Sequence, residues 1–551
     1  MSPSESSAST NRQTTPEAPG TTNPAGTPFA SATNIRIVSH HLIRRPEFWY
    51  FLGAAFFLYF LLFVPPVTPF YLPGDSSVYL LNASRMLEGQ VLYKDFFQFT
   101  YPGTELFYFA LLQMFGHRMW IPTASLICLG LCLTWVILKL SSKVLAGSSA
   151  FLPGLMFLTY VYWAWLDPSH QWFSTLLVMA AAALIIERRS LPRVVEAAGV
   201  CGLASFFTQI KGGMALLGIA VFLLWERRQR RLSWRAFLSQ ELYLFSAFFV
   251  ALGIPSAYFI WKAGSRRFWY CTVEFGIKYY RAEWSNNLAV YMTGILPLSP
   301  HLYVALPKVA VFVFIHALLP LVYVIFFMRY RRRSSIQSSQ PWDRLMLINI
   351  LGVALFLAVA PAPAWTKLYA VSPPALILTV WLLNSERKAG RVLSGWLWAS
   401  ALVLLAAEPW LRQHQWHSFL NAPAGPTVCV YPRTCEQGEW LVQRTRPSEY
   451  LLEAVWADFY YPLRLRDPAP IPFLTTTDYT RPEQVRGTIE ALETHRVRYV
   501  MWSPMLDVAD PRNRGTDDHL GPLRAHLRTY YHVVKTFTGG DQVWERNEQA
   551  R

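Results

Sequence analysis

The sequence predicts a polytopic α-helical membrane protein with about eleven transmembrane helices, interfacial helices in its first outer loop and a small soluble α/β domain at the carboxyl terminus. Three observations predict this fold class. Of the 551 residues, 53% are hydrophobic and only 15% are charged. Apolar runs recur at lengths near the roughly 20 residues that cross a bilayer as a helix. The basic residues cluster in the short loops between these runs, as is typical of membrane topology.

The candidate spans follow from the length of each apolar run and its lack of charge. They cover residues 48–66, 120–140, 150–166, 171–186, 194–209, 213–226, 241–261, 302–328, 344–361, 367–384 and 391–408. Basic clusters occupy alternate loops, at residues 139–143, 188–193, 227–235, 329–333 and 387–391. Because cytoplasmic loops carry the excess of Lys and Arg, we expect the amino terminus inside and the carboxyl terminus outside.

This topology divides the chain into three parts. Residues 1–45, rich in Ser, Thr, Pro, Ala and Gly, are expected to form a disordered cytoplasmic tail, with no evident cleaved signal peptide before the first span. Residues 46–408 form a multi-pass transmembrane domain with long outer loops at 67–119 and 262–300, and residues 409–551 form an extracytoplasmic α/β domain. The net charge of +16 does not indicate nucleic-acid binding, because topology accounts for the basic residues.

The first outer loop and the carboxyl-terminal part both contain local patterns that predict secondary structure. In the first outer loop, residues 76–88 and 104–115 predict two short interfacial helices, separated by a Pro-Gly turn at 102–103. In the carboxyl-terminal part the predicted elements are strands at 471–474, 498–502, 531–537 and 542–545, and helices at 482–494 and 520–527. No Gly-rich phosphate loop follows these strands, so a nucleotide-binding role is unsupported.

The six cysteines are too few for a disulfide framework. Cys429 and Cys435 lie close together in the part of the chain expected outside the cytoplasm, where a disulfide can persist. A bridge between them, two free thiols, and a metal site that lacks its other ligands are the alternatives.

Acidic residues beside the membrane are the first functional candidates, because a carboxylate there is costly to place. Asp75 follows Pro-Gly and precedes the first interfacial helix, so it could also be a plain N-cap of that helix. Asp95 is surrounded by aromatic residues, and its alternative role is an ion pair with Lys94.

The next outer loop, between the third and fourth spans, carries Asp167 and His170 at the same membrane face as Asp75. Asp-Pro is turn chemistry, so a structural role for Asp167 is the simplest interpretation. Acidic residues in successive stretches of one face also predict a shared site. Asp167 and His170 could bind a divalent metal, although two ligands in one loop are weak evidence.

Cations and a tyrosine on the same face are candidates for holding a phosphate. Lysines at span ends often extend to the lipid headgroups instead. This is the alternative role for the candidate lysines that lie at the ends of predicted spans. Arg and Lys stabilise phosphates, so a lipid-linked phosphate would need such partners. The candidates are Lys211, Arg266, Arg267, Lys278, Arg281, Lys367 and Tyr369.

The first outer loop contains a spaced motif. It comprises Gly74, Asp75, Tyr79, Ala83, Gly89, Tyr93, Asp95 and Phe96, followed by Pro102 and Gly103. This motif resembles the first outer loop of the GT-C superfamily of membrane glycosyltransferases, in the bacterial branch similar to protein O-mannosyltransferases, aminoarabinose transferases and rhizobial lipopolysaccharide core transferases. The sequence departs from the pattern at Ser76, where many relatives have Glu, and at Lys367, where a His commonly stands.

The resemblance implies transfer of a sugar, with inversion, from a polyprenyl-phosphate donor to an envelope acceptor at the outer face of the bacterial cytoplasmic (inner) membrane. Asp75 would be the general base, and Asp95 and Asp167 would orient the acceptor or the sugar. The cations named above would hold the donor phosphate and stabilise the departing polyprenyl phosphate. No cofactor is required by this scheme, and a divalent metal is an open alternative.

Two other classes of function compete with this hypothesis. A glycolipid transporter or flippase should show polar residues at the bilayer midplane, broken helices and repeat symmetry, and no convincing repeat is present. An envelope glycan polymerase or ligase should depend more on outer-loop Arg and His residues than on an Asp in the first loop. Neither the sugar nor the acceptor can be read from the sequence, because pocket shape sets specificity.

Overall fold

The computed structural model describes residues 45–231, 233–292, 309–310, 313–332, 340–386, 388–513 and 515–547. The chain divides into two compact units, Met1–Leu52 and Gly53–Arg551, and the contacts described below belong to the second. Residues 1–44 of the predicted tail lie outside the described residues. Residues 293–300 of the predicted second outer loop and 302–308 of the predicted span at 302–328 also lie outside them.

The first half of the chain is helical, because long apolar runs satisfy their backbone hydrogen bonds internally only as helices. Its helices are α1 (Pro46–Leu62), α2 (Asp75–Leu87), α3 (Gly103–Phe115), α4 (Trp120–Ser141), α5 (Leu152–Met156), α6 (His170–Ile185), α7 (Leu191–Phe207), α8 (Gln209–Arg230) and α9 (Trp234–Ala263). Two two-residue strands, β1 (Phe63–Val64) and β2 (Thr68–Pro69), pair between α1 and α2. Helices α2 and α3 are the two short helices predicted for the first outer loop.

Helices continue through the second outer loop to the end of the membrane region. They are α10 (Ser265–Trp269), α11 (Phe275–Lys278), α12 (Ala289–Met292), α13 (Leu319–Arg331), α14 (Trp342–Val359), α15 (Trp365–Ala370), α16 (Pro373–Asn384) and α17 (Ala389–His414). A π-helical turn, Tyr270–Glu274, joins α10 to α11. The second outer loop is therefore largely helical where it is described.

One predicted span is shortened in the structure, and another is interrupted. At 150–166 the chain forms only 5 residues of α-helix and then 6 of π-helix, Phe157–Tyr162, well short of a bilayer crossing. At 367–384 the chain breaks between α15 and α16, where Pro373 and Pro374 begin α16. Proline has no backbone N–H and restricts the residue before it, so the apolar run cannot continue as one helix.

Five of the described helices are long and apolar enough to cross a membrane: α4, α8, α9, α14 and α17. Helices α1, α6 and α16 are shorter and also apolar. On α9, Ile254 and Phe249 are 72% and 63% exposed, and on α17 Val403 is 64% exposed. Apolar surface of this kind is suited to lipid contact. The number of about eleven spans stays a prediction.

Close packing of the helices depends in part on one glycine. Helix α7 packs against α6, α8 and α9. A Cβ atom at Gly202 of α7 would lie 2.5 Å from the carbonyl oxygen of Phe248 in α9. Only a residue without a side chain allows the two backbones to approach this closely.

The carboxyl-terminal part, here called the α/β region (residues 415–547), contains two sheets. Strands β3 (Ser418–Ala422) and β4 (Gly425–Cys429) form an antiparallel hairpin. The second sheet has the order β5-β6-β8-β7, and its strands are β5 (Leu451–Glu453), β6 (Tyr499–Trp502), β7 (Tyr531–Thr536) and β8 (Gln542–Arg546). Strands β5 and β6 are parallel, whereas β6–β8 and β8–β7 are antiparallel.

Four helices accompany these sheets: α18 (Pro432–Arg444), α19 (Tyr460–Leu463), α20 (Pro482–Thr494) and α21 (Gly521–Tyr530). Helix α20 provides the crossover between the parallel strands and has the bounds that the sequence predicts. The prediction of a strand at 471–474 is wrong, since this segment is irregular in the structure. Pro468, Pro470 and Pro472 remove donors that a strand would need there. The β3–β4 hairpin, α18, β5 and α19 were not predicted.

Two hydrophobic cores join the α/β region to the outer loops. One combines Tyr79 and Leu80 of α2 and Tyr108 of α3 with residues such as Leu420 and Leu451. The other combines the second part of the first outer loop and the second outer loop with β5, β6 and α20. Because the apolar residues are shared, the α/β region packs on these two loops as part of one structure.

The two cysteines considered for a disulfide are free thiols in the structure. Cys429 ends β4 and Cys435 lies in α18, and both are buried. Burial raises the pKa of the Cys429 thiol, and the neighbouring Cys435 raises it further. Both side chains therefore pack as neutral groups against the first of the two cores.

A buried ion pair fixes the end of α2 to the α/β region. Arg85 Nη1 lies 3.2 Å from Asp467 Oδ2 and donates to the carbonyl of Ala469 at 2.9 Å. Burial raises the pKa of Asp467 to about 6, although the Arg85 charge acts in the opposite direction. The guanidinium also lies over the ring of Phe96, 4.4 Å from its centroid.

We expect Arg85→Ala to destabilise the protein by about 3–5 kcal/mol, because it leaves Asp467 buried without its partner. The neighbouring pair Arg466–Glu88 also joins α2 to the α/β region, but its side chains are 39% and 37% exposed. We therefore expect Arg466→Ala to cost only about 0–1 kcal/mol. Thermal unfolding of both variants in the same detergent measures the difference. Equal losses of stability in the two variants would contradict the conclusion that the Arg85–Asp467 pair is the stronger link.

Candidate active site

The amino terminus of α2 is capped by a carboxylate from another part of the chain. Asp167 Oδ2 accepts the backbone N–H of Asp75 at 3.1 Å, and Asp167 Oδ1 accepts that of Ser76 at 3.0 Å. The first N–H groups of a helix have no partner within the helix, and a negative charge there also interacts favourably with the helix dipole. Asp167 therefore supplies the cap that an N-cap side chain usually provides.

This geometry shows that the plain N-cap interpretation of Asp75 is wrong. The N-cap residue is Gly74, and Asp75 is the first residue of α2. A Cβ atom at position 74 would lie 3.1 Å from Asp167 Cγ and 3.2 Å from Oδ2. Glycine thus makes room for the Asp167 carboxylate. Since Asp167 caps the helix, the Asp75 side chain is available for other partners.

Asp75 combines access with an unusual electrostatic setting. Its side chain reaches solvent, yet protein atoms surround it closely. This desolvation raises the pKa of Asp75, while the positive charge of Lys367 lowers it. Burial also raises the pKa of Asp167, and the adjacent Asp75 charge adds to that increase. A reachable carboxylate with raised basicity can take a proton from a bound hydroxyl or amine.

His170 lies beside this pair, at the start of α6. Its Nδ1 is 2.5 Å from the Tyr79 hydroxyl, and its Nε2 is 2.7 Å from the side-chain nitrogen of Gln171. Both ring nitrogens and both Asp167 oxygens thus have protein partners. Among the described residues, no group of three or more His, Cys, Asp and Glu side chains could hold a metal ion. A divalent metal bound by Asp167 and His170 stays a prediction.

Two of the three predicted lysines, Lys211 and Lys367, have different surroundings. Lys211, in the first turn of α8, is only 1% exposed, and its Nζ donates to the Gln171 carbonyl at 3.1 Å and to Thr175 Oγ1 at 3.2 Å. It links α8 to α6 and does not extend to lipid headgroups. Lys367 is half-buried, and its Nζ lies 3.3 Å from the Tyr280 hydroxyl. Of the two, Lys367 is the one whose charge acts on Asp75.

The remaining predicted phosphate ligands have other partners or are exposed. Tyr369 is buried and packs edge-on against Trp365. Arg267 Nε donates to the Tyr93 carbonyl at 3.1 Å, and Lys278 forms an ion pair with Glu274 at 2.6 Å. Arg266 and Arg281 are exposed. Within the described ranges, none of the hydrogen bonds or ion pairs of these residues reaches Asp75 or Asp167.

Asp95 lies in an exposed turn after α2. Its Oδ2 accepts the backbone N–H of Val91 at 2.6 Å, so the side chain stabilises the turn. In the part of the chain that the structure describes, its hydrogen bonds do not connect it with Asp75 or Asp167. Of the three predicted catalytic acids, the structure brings Asp75 and Asp167 together.

One acidic residue of this region was missed by the sequence analysis. Glu105, in the first turn of α3, is fully buried, and its Oε1 accepts from Gln98 Nε2 at 2.9 Å and from Asn82 Nδ2 at 3.3 Å. Its Oε2 has no protein partner among the described residues. Burial raises the pKa of Glu105 to about 7, and its charge acts on the Tyr79 hydroxyl. The sequence feature that could have identified Glu105 is an isolated acidic residue within a short apolar helix.

The raised pKa makes Glu105 a source of pH-dependent stability. Its pKa in the folded protein, about 7, lies above the ordinary value of 4.5, so folding takes up a proton between these values. The stability of the native protein therefore falls as pH rises through this window, and Glu105→Gln, which stays neutral, removes that loss. The free energy of unfolding of the variant, relative to that of the native protein, should therefore increase by up to about 3 kcal/mol between pH 4.5 and 8. Thermal unfolding across this range measures it, and a constant difference would contradict the assignment.

Comparisons with known proteins agree with this architecture. No protein-family model and no curated protein sequence matches the chain. Among solved structures, the fold is similar to that of ArnT from Cupriavidus metallidurans in the apo state, with a TM-score of 0.54 and 12% identity over 94% of this chain and 99% of that chain. The oligosaccharyltransferase of Archaeoglobus fulgidus in the apo form aligns with a TM-score of 0.44 and 12% identity, over 92% of this chain and 75% of that one. The chain is a multi-pass membrane protein with a GT-C-like fold, as its first outer loop predicts.

Proposed function

We propose that this protein is a glycosyltransferase that moves a sugar from a polyprenyl-phosphate donor to an acceptor in the bacterial envelope. The reaction takes place at the outer face of the cytoplasmic membrane, inverts the anomeric centre, and uses Asp75 as general base. One observation carries the proposal. Asp167 caps α2 in place of Asp75, so a reachable carboxylate with raised pKa stands in the first outer loop of a GT-C-like fold.

The chemistry is a single displacement. The acceptor oxygen or nitrogen attacks the anomeric carbon and gives its proton to an Asp75 carboxylate oxygen. The bond between the anomeric carbon and the phosphate oxygen breaks, and its electron pair leaves with the polyprenyl phosphate. Attack and departure on opposite faces invert the anomeric centre. No nucleotide is needed, because the lipid phosphate is itself the leaving group.

Lys367 is the best supported partner for the donor phosphate. It is half-buried and acts electrostatically on Asp75, and a cation beside the leaving group stabilises the charge that develops there. Tyr280, whose hydroxyl contacts Lys367, would orient the ammonium group. Arg266 and Arg281 are exposed on the second outer loop and would bind the lipid phosphate less directly. Lys211 would position α6 and α8.

We expect Asp75→Asn to lower the transfer rate by about 10²–10⁴-fold, because it keeps the shape of the side chain but removes the base. Membranes that contain the variant are incubated with labelled polyprenyl-phosphate sugar, and labelled acceptor and released polyprenyl phosphate are counted. Glu88→Gln, at the other end of α2, is the control and should keep the native rate.

The native rate should also rise with pH across the raised pKa of Asp75, because only the ionised carboxylate accepts a proton. Undiminished transfer by Asp75→Asn would show that this residue is not the base. Movement of intact glycolipid across the membrane without release of polyprenyl phosphate would support the transporter hypothesis instead.

A second prediction concerns the cap. Gly74→Ala places a methyl group against the Asp167 carboxylate, so we expect it to reproduce the effect of Asp167→Asn. Both variants should lose about 0.5–2 kcal/mol of stability. Both should lower kcat more than they raise KM for the donor, because Asp75 shifts from its position. Gly199→Ala, where the added methyl group meets no atom within 4 Å, is the matched control. Native kinetics in Gly74→Ala would contradict the positioning role of Asp167.

A further inference from the structure

A groove lies at the carboxyl ends of the two parallel strands of the α/β region. Strand β5 ends at Glu453 and β6 ends at Trp502. The groove is lined by residues that follow these ends and by neighbouring side chains, among them Glu453, Trp456, Asp458, Trp502, Ser503 and Asp541. In open α/β sheets, ligands bind in the crevice beyond the carboxyl ends of parallel strands.

The groups that line the groove disfavour an anion. Three carboxylates line it, and the nearby Arg433 is already paired with Asp541. Glu453 accepts the backbone N–H groups of Asp458 and Phe459, each at 2.9 Å. A phosphate would find no unpaired cation among the described residues that line the groove, whereas hydroxyl or ammonium groups could donate hydrogen bonds to the carboxyl oxygens.

One carboxylate oxygen in the groove lacks a partner. Asp541 is only 8% exposed, and its Oδ2 accepts from Gln437 Nε2 at 2.7 Å. Its Oδ1 is buried and has no hydrogen-bond partner among the described residues. A buried acceptor without a donor is costly, so a ligand that donates a hydrogen bond at this point would remove the cost.

An aromatic side chain stands at the same groove. Trp456 is 61% exposed, although tryptophan is usually buried over most of its surface. An aromatic ring offers a flat apolar face, and the neighbouring carboxylates offer acceptors. A pyranose ring presents the complementary surfaces, since its C–H face is apolar and its hydroxyl groups are donors.

We propose that this groove is a carbohydrate-binding site for a neutral or amine-bearing sugar ring, which stacks on Trp456 and donates a hydrogen bond to Asp541. The site goes beyond the proposed transfer reaction, because it lies in the α/β region and contains neither Asp75 nor Lys367. Asp458 is shared between this groove and the surroundings of the start of α2. It lines the groove and also a second cavity that reaches Ser76 and Ser77 at the start of α2.

The test measures sugar binding by the full chain in lipid nanodiscs, because sugar-headed detergents would compete. The probes are methyl α-mannoside, glucosamine and mannose 6-phosphate, each titrated in saturation-transfer NMR. We expect the first two to bind and the phosphorylated sugar to bind at least about tenfold more weakly, a difference of about 1.4 kcal/mol.

We expect Trp456→Ala and Asp541→Asn each to weaken binding of the first two probes by about tenfold or more. Trp416→Ala removes another exposed tryptophan of the α/β region, 56% exposed, and should leave binding unchanged. Asp75→Asn should bind as the native protein does, so loss of transfer and loss of this site are distinguishable. The proposal is overturned if neither uncharged nor amine-bearing sugar binds, if Trp456→Ala binds normally, or if mannose 6-phosphate binds best.

Discussion

The candidate active site depends on a cap that the Asp167 carboxylate provides to α2. Asp167 accepts the first N–H groups of a helix that lies 92 residues earlier in the chain. This contact sets the position of Asp75 and removes the need for Asp75 to cap its own helix. It also explains Gly74, because a Cβ atom there would lie only 3.1 Å from Asp167 Cγ, so that the carboxylate would have to shift. A structural contact between two distant segments thus leaves the Asp75 carboxylate accessible.

The same helix is held at its other end by the α/β region. The buried Arg85–Asp467 pair and the shared hydrophobic cores connect α2 to residues more than 300 positions away. A helix of 13 residues would be marginal alone in water. Contacts at both ends make it a rigid support for Asp75. The α/β region therefore contributes to the geometry of the candidate active site, whether or not it also binds a glycan.

Much of the helical architecture was predictable because it is written in local patterns. The bounds of α4, α6 and α20 lie within one or two residues of the predicted bounds, since apolar length and periodicity are properties of contiguous residues. The break at Pro373 and the irregular segment around Pro470 were not predicted, because hydropathy ignores the missing N–H of proline. The short β5 and the hairpin β3–β4 are stabilised by packing with distant segments, which no local pattern reveals.

For the site, the sequence by itself predicted that Asp75, Asp167 and several cations belong to one membrane face, because alternating basic loops indicate topology. Only the tertiary structure decided what each side chain does there. It placed Asp167 on the helix cap, Lys211 in a buried contact between helices, Asp95 in an exposed turn and Glu105 in a buried polar cluster. The reason is physical: hydrogen bonds and desolvation depend on distances between residues far apart in the chain, and these distances exist only after folding.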